Sequence, residues 1–120
     1  MVKSYKEQFS LEHRISESNR ILAKYPDKIP VIIECQNKEL NERINKKKFL
    51  APRDISISYL LQIIRGRIKL ESGKAIFMYV DNKLLTPNIM INEIYEKYME
   101  DKREDKFLYV ELAYENTFGK

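Results

Sequence analysis

The only cysteine and the only histidine of the chain, Cys35 and His13, are the one combination that could supply a nucleophile and its base. A reactive thiolate needs an imidazole or cationic neighbour in a partly open setting. Cys35 instead ends Ile29-Pro30-Val31-Ile32-Ile33-Glu34-Cys35, a run that is apolar on both alternating faces, and it reads as a small buried hydrophobe. A lone cysteine cannot close an intramolecular disulfide, and with one histidine beside it there is no ligand set for zinc; no metal or cofactor is expected. Gly66 and Gly73-Lys74 do not form a phosphate cradle, because the glycines are too far apart and Ala75 follows where a hydroxyl is needed. The acids within 93–105 are interleaved with Lys97, Lys102, Arg103 and Lys106, as on a solvated surface rather than in an acid–base pair. No enzyme signature is present.

Three other features could carry function. Lys46-Lys47-Lys48 runs directly into Phe49-Leu50-Ala51-Pro52, a strand candidate with the lysines and proline that edge strands carry. Such an edge either resists aggregation or accepts an extended peptide as an added strand, with the lysines attracting acidic flanks. Ile21, Pro30 and Ile32 are apolar positions that a helix and a strand would bring together, as ordinary core or as a seat for a ligand. The chain ends Thr117-Phe118-Gly119-Lys120, and a glycine at the tip of a polar tail can thread a narrow catalytic channel as a carboxyl donor.

The elements that must position these features follow from periodicity. Leu11, Ile15, Ser18, Leu22 and Tyr25 predict an amphipathic helix over 11–24, capped by Ser10 and stopped by Pro26-Asp27, with these residues on its buried stripe. Residues 3–9 suggest a short helix before it. Residues 29–35 read as a strand covered on both faces, 36–45 as a polar connection, and 46–52 as the edge strand. A broad apolar face at Ile57, Leu60, Leu61, Ile63, Ile64 and Ile68 predicts a helix capped by Asp54 or Ser56. A strand over 76–80, an Asp81-Asn82 turn, a helix over 90–99, a charged solvated loop over 100–106, a strand over 108–112 and a free tail complete the chain.

This order predicts an α+β fold of the ubiquitin-like β-grasp type, with a mixed four-stranded sheet, a helix packed across it and two N-terminal helices on its other side. The expected division is a helical extension over 1–25, a core over 26–114 and a tail over 115–120. At 120 residues, with 43% hydrophobic and 33% charged, the composition is that of a soluble globular domain. No apolar run is long enough to cross a bilayer and no signal-peptide core opens the chain, so a cytosolic, reducing setting is expected. The net charge of +4 is uneven: residues 1–74 hold 16 basic and 9 acidic side chains, whereas the rest hold 6 and 9. An acidic partner is expected on the basic half.

Tyr25-Pro26-Asp27-Lys28-Ile29-Pro30-Val31, Lys46-Lys47-Lys48-Phe49-Leu50-Ala51-Pro52, Arg65 and Arg67 in the second long helix, and Phe107-Leu108-Tyr109-Val110 with the aromatic-glycine end resemble the autophagy ubiquitin-like modifiers. That family includes the GABA-receptor-associated protein and the microtubule-associated light chain group, and the chain looks closer to the former branch. The resemblance spans nearly the whole sequence. It implies removal of Lys120 by a processing cysteine protease, then passage of the Gly119 carboxyl through activating and conjugating enzymes to phosphatidylethanolamine. The lipidated form would sit on autophagosomes or other cytoplasmic vesicles.

The resemblance also implies binding of cargo receptors through aromatic-x-x-aliphatic motifs. The aromatic pocket would comprise Glu17, Ile21, Pro30, Ile32, Lys48, Leu50 and Phe107. The aliphatic pocket would comprise Phe49, Ala51, Pro52, Ile55, Leu60 and Ile63, with Arg67 at its rim and Lys46 near the acidic flank. Phe77 and Tyr79 resemble an aromatic pair on the opposite face, associated with conjugation and tethering. Ala51 is smaller than the usual branched residue, and Gln62 stands where relatives often carry an aromatic.

Two other functions fit the residues: an unconjugated ubiquitin-like docking domain, and a basic nucleic-acid-binding module. The net −3 of residues 75–120 and the lack of Gly-flanked strand aromatics weigh against nucleic acid.

Overall fold

The computed structural model describes residues 3–44, 47–70, 73–101 and 103–114. Ser4 opens helix α1 (Tyr5–Gln8) with a capping box, and Ser10 caps α2 (Leu11–Lys24), its Oγ accepting from the His13 amide. Strand β1 (Lys28–Cys35) is followed by α3 (Lys38–Arg43), capped by Asn37, and by β2 (Lys48–Pro52). Ser56 rather than Asp54 caps α4 (Ile57–Ile68). Strands β3 (Phe77–Val80) and β4 (Lys83–Leu84) precede α5 (Ile91–Glu100) and β5 (Leu108–Ala113).

The strands form one mixed sheet in the order β2-β1-β5-β3-β4. It therefore has five strands, one more than expected. The addition is β4, a two-residue edge held by a hairpin whose loop residues Asp81 and Asn82 both take positive φ, as a type I′ turn requires. β1 runs antiparallel to β2 and parallel to β5, in the β-grasp arrangement. Pro30 is tolerated in this central strand because pairing with β5 starts one residue later, at Val31.

Alternation splits the strand residues between two layers. Ile29, Val31, Ile33 and Cys35 of β1, with Phe49 and Ala51 of β2 and Leu108, Val110 and Leu112 of β5, join α4 and α5 in the main core. Ile32 faces the other way, into a second cluster with Tyr5, Ile21 and Phe107, on which Leu50, Tyr25 and Tyr109 pack.

Three local expectations are corrected. The connection over 36–45 contains α3, which buries Leu40, with Ile44 buried at its C-cap. The buried positions of α2 are Arg14, Ser18 and Ile21, while Leu11 and Ile15 are 39% and 37% exposed. The loop over 100–106 is not wholly solvated, since Asp105 is 4% exposed. The second and third corrections share a cause: Arg14 donates from Nη1 to Asp105 Oδ2 at 2.8 Å, and this ion pair turns the polar stripe of α2 inward.

Candidate functional site

Among the described residues β2 is hydrogen-bonded to β1 on one side only, leaving its outer border without a strand partner there, and its side chains alternate between two apolar seats. On the α2 side, Leu50 packs on Ile21, Ile32 and Phe107, and Pro30 shares the Ile32 face by alternation. At this seat Lys48 Nζ lies 3.7 Å from Glu17 Oε1, which also accepts from Arg20 Nη2. The Arg20 bond, then the Lys48 charge, hold the Glu17 carboxyl below its ordinary value.

On the α4 side, Phe49 is capped by the Arg67 guanidinium, 4.4 Å from the ring centroid. Ala51 and Leu60 are fully buried and form the floor there, while Ile55 and Ile63 are half-buried on the same cluster, and Pro52 is half-buried at the strand end. Gln62 is exposed.

The seat beside α2 is braced by polar groups that sequence reading missed. Asp105 Oδ1 accepts the Phe107 amide at 2.9 Å, and Oδ2 accepts the Tyr109 hydroxyl at 2.7 Å as well as Arg14. The Lys106 amide donates to Ser18 Oγ at 3.1 Å, and the Lys106 carbonyl accepts the Tyr95 hydroxyl at 2.7 Å. Burial, reinforced by the bond to Asp105, pushes the Tyr109 phenol strongly upward, so it stays a donor. An arginine four positions before a buried-spacing serine was the available signal, but its partner lies 91 residues away.

The remaining candidates are placed as follows. Cys35 is 1% exposed and burial raises its thiol, while His13 is exposed and stacks on Phe9, so the two form no reactive pair. Phe77 is half-buried and Tyr79 buried, and both lie on the sheet face that carries the α2 seat, with β1 and β5 between them and β2. They are not on the opposite face of the sheet, because their parity on β3 is that of Glu111 and hence of Tyr109 on β5. Lys46, Gly119 and Lys120 lie outside the described residues. No group of three or more His, Cys, Asp or Glu is arranged to hold a metal among the described residues. No helix there is long and apolar enough to cross a membrane.

With this geometry in view, comparison with known proteins is decisive. The model of the family described as autophagy protein Atg8, ubiquitin-like, matches residues 13–119. The chain belongs to the Atg8 family. The sequence is similar to autophagy-related protein 8i of Arabidopsis thaliana, at 43% identity over 98% of this chain and 100% of the relative. It is likewise similar to autophagy-related protein 8 of Schizosaccharomyces pombe, at 45% identity over 99% of this chain and 96% of that protein. Among solved structures it resembles Trypanosoma brucei ATG8, with a TM-score of 0.83, 31% identity and coverage of 94% and 95% of the two chains. It also resembles Plasmodium falciparum Atg8, solved in complex with a Plasmodium falciparum Atg3 peptide, with a TM-score of 0.81, 32% identity and coverage of 95% and 98%. Atg8 proteins are ubiquitin-like modifiers of autophagy.

Proposed function

We propose that this Atg8-family chain is conjugated through Gly119 to phosphatidylethanolamine after loss of Lys120, and that its β2 border captures aromatic-x-x-aliphatic motifs of cargo receptors by strand addition. The observation that carries the motif reading is the free border of β2 with an apolar seat on each face. In an extended peptide, residues three apart point to opposite faces and lie about 10 Å apart. The aromatic side chain would then enter between Ile21, Ile32, Leu50 and Phe107. The aliphatic one would meet Phe49, Ile55, Ile63 and Pro52 over the Ala51 and Leu60 floor. Backbone bonds to β2 give affinity, and Lys46, Lys48 and Arg67 favour acidic flanking residues.

The Plasmodium relative bound to an Atg3 peptide supports a conjugating enzyme among the partners, and an activating enzyme and a processing protease are assigned on the family resemblance. We assign Phe77 and Tyr79 to conjugation or tethering on resemblance, residues 1–25 to an extension on the 26–114 core, and the lipidated form to autophagosomal or other vesicle membranes.

An acidic Trp-x-x-Leu peptide should bind in the micromolar range, roughly −8 kcal/mol. Replacing Lys48 and Leu50 together by Ala should weaken it by about tenfold or more. Unchanged binding would remove the groove assignment. For conjugation, the intact mass of membrane-recovered protein should show loss of Lys120 and gain of a lipid, and Gly119→Ala should abolish both. Recovery with Lys120 in place would reject the modifier chemistry.

A further inference from the structure

We propose that Asp105 is a positioning residue for the α2-side seat, fixing Phe107 as its floor and thereby setting which aromatic ring the seat accepts. The proposal rests on the motif-binding reading given above.

Asp105 and Phe107, on either side of the exposed Lys106, bring the end of a highly charged loop into the interior. Asp105 is 4% exposed, and each of its carboxylate oxygens is engaged: Oδ1 by the Phe107 amide, Oδ2 by Arg14 and the Tyr109 hydroxyl. Lys106 is tied at its amide to Ser18 of α2 and at its carbonyl to Tyr95 of α5. Arg14 is itself braced, its Nε donating to the Phe9 carbonyl at 3.2 Å. These bonds come from α2, α5 and β5, so Phe107 is held against all three. Its ring is fully buried and meets Tyr5 edge-on at 5.5 Å.

A buried ion pair is a poor source of net stability, because desolvating two charges offsets their attraction and apolar replacements often do as well. What the carboxylate supplies that a leucine could not is direction. Two oxygens set at a fixed angle place a backbone N–H relative to a helix and a strand. Without that bond the Phe107 backbone is free to shift, and the depth of the seat shifts with it. A two-ring indole, which fills the seat furthest, responds more than a phenyl.

The test uses the full chain and three acidic peptides, Trp-x-x-Leu, Phe-x-x-Leu and Trp-x-x-Ala, with amide hydrogen exchange measured in parallel. Asp105→Asn keeps the side-chain size but turns one acceptor oxygen into a donor. It should lower the Trp/Phe affinity ratio by about threefold or more while leaving the Leu/Ala ratio in place. It should also speed exchange at the Phe107 amide by about tenfold. Ser18→Ala, which spares the ion pair and removes the Lys106 tie together with the bond from Ser18 Oγ to the Ile15 carbonyl within α2, should act in the same direction more weakly, and it decides the matter if Asp105→Asn does not fold. A Trp/Phe ratio that stays put, or a loss shared equally by all three peptides, overturns the proposal. Failure of the unaltered protein to bind any of the peptides overturns the motif-binding reading itself, and the proposal with it.

Discussion

The two faces of the sheet are built on different principles. Beneath α4 and α5, 22 buried apolar or aromatic residues form a continuous core among the described residues. Beneath α1 and α2 the corresponding cluster has four, and the space between helix and sheet is completed by Arg14, Ser18 and Asp105. The first layer is non-directional: any set of side chains of the right volume holds it together. The second depends on the angles of a few hydrogen bonds, and it is the layer in which the proposed aromatic seat lies. On the proposed reading the aromatic seat lies on the face opposite the main core, while the aliphatic seat shares the core's own face through the alternate residues of β2.

Substitutions separate the two layers. Leu108→Ala, at a fully buried position under α4, should cost about 3–4 kcal/mol. Urea unfolding would show this as a lower midpoint, with peptide affinity retained in the folded fraction. A loss below about 1 kcal/mol would mean that the main core is not the principal source of stability.

On the other face, Asp105→Ala alone should cost about 3 kcal/mol, because it leaves the buried Arg14 charge with only the longer 3.8 Å contact to Glu104 Oε1. Arg14→Met with Asp105→Leu should recover most of that loss while leaving motif binding impaired. If the double variant binds as well as the unaltered chain, the division of labour between the faces is wrong.

The smallest effect concerns Glu17. Its native pKa is lowered by Arg20 and then Lys48, so its contribution is fully present above the unfolded glutamate value, about 4.3, and fades as pH falls through the lower native value. The pair is partly exposed, so the contribution is about 0.5 kcal/mol or less. The melting-temperature gap between the chain and Glu17→Gln should be constant from pH 5 to 8 and close below about pH 4. A gap that persists to pH 3 would show that the glutamate acts through packing, not charge.

Much of this was legible in the chain because local rules and burial agree there. α4 and α5 follow apolar periodicity, β1 follows its β-branched run, and the Asp81-Asn82 turn follows the tolerance of both residues for positive φ. The segments that resemble Atg8 proteins also contain the β2 border. Reading failed where a polar residue is buried. Counting apolar positions on α2 put Leu11 and Ile15 inside, and charge counting put Asp105 outside, because each charge satisfies the other only across 91 residues of chain. α3 was missed since it buries only Leu40, with Ile44 at its C-cap, although Asn37 offered a cap signal.

Amino-acid order alone therefore determined the long helices, the two-faced β1, the exposed-edge character of β2 and the family, since these depend on neighbours a few residues apart. Tertiary structure decided the inward face of α2, the fifth strand, the sheet face that carries Phe77 and Tyr79, and the pinning of Phe107. Each of these depends on groups that meet only after the chain has closed on itself, and a buried hydrogen bond between distant residues leaves no periodic trace.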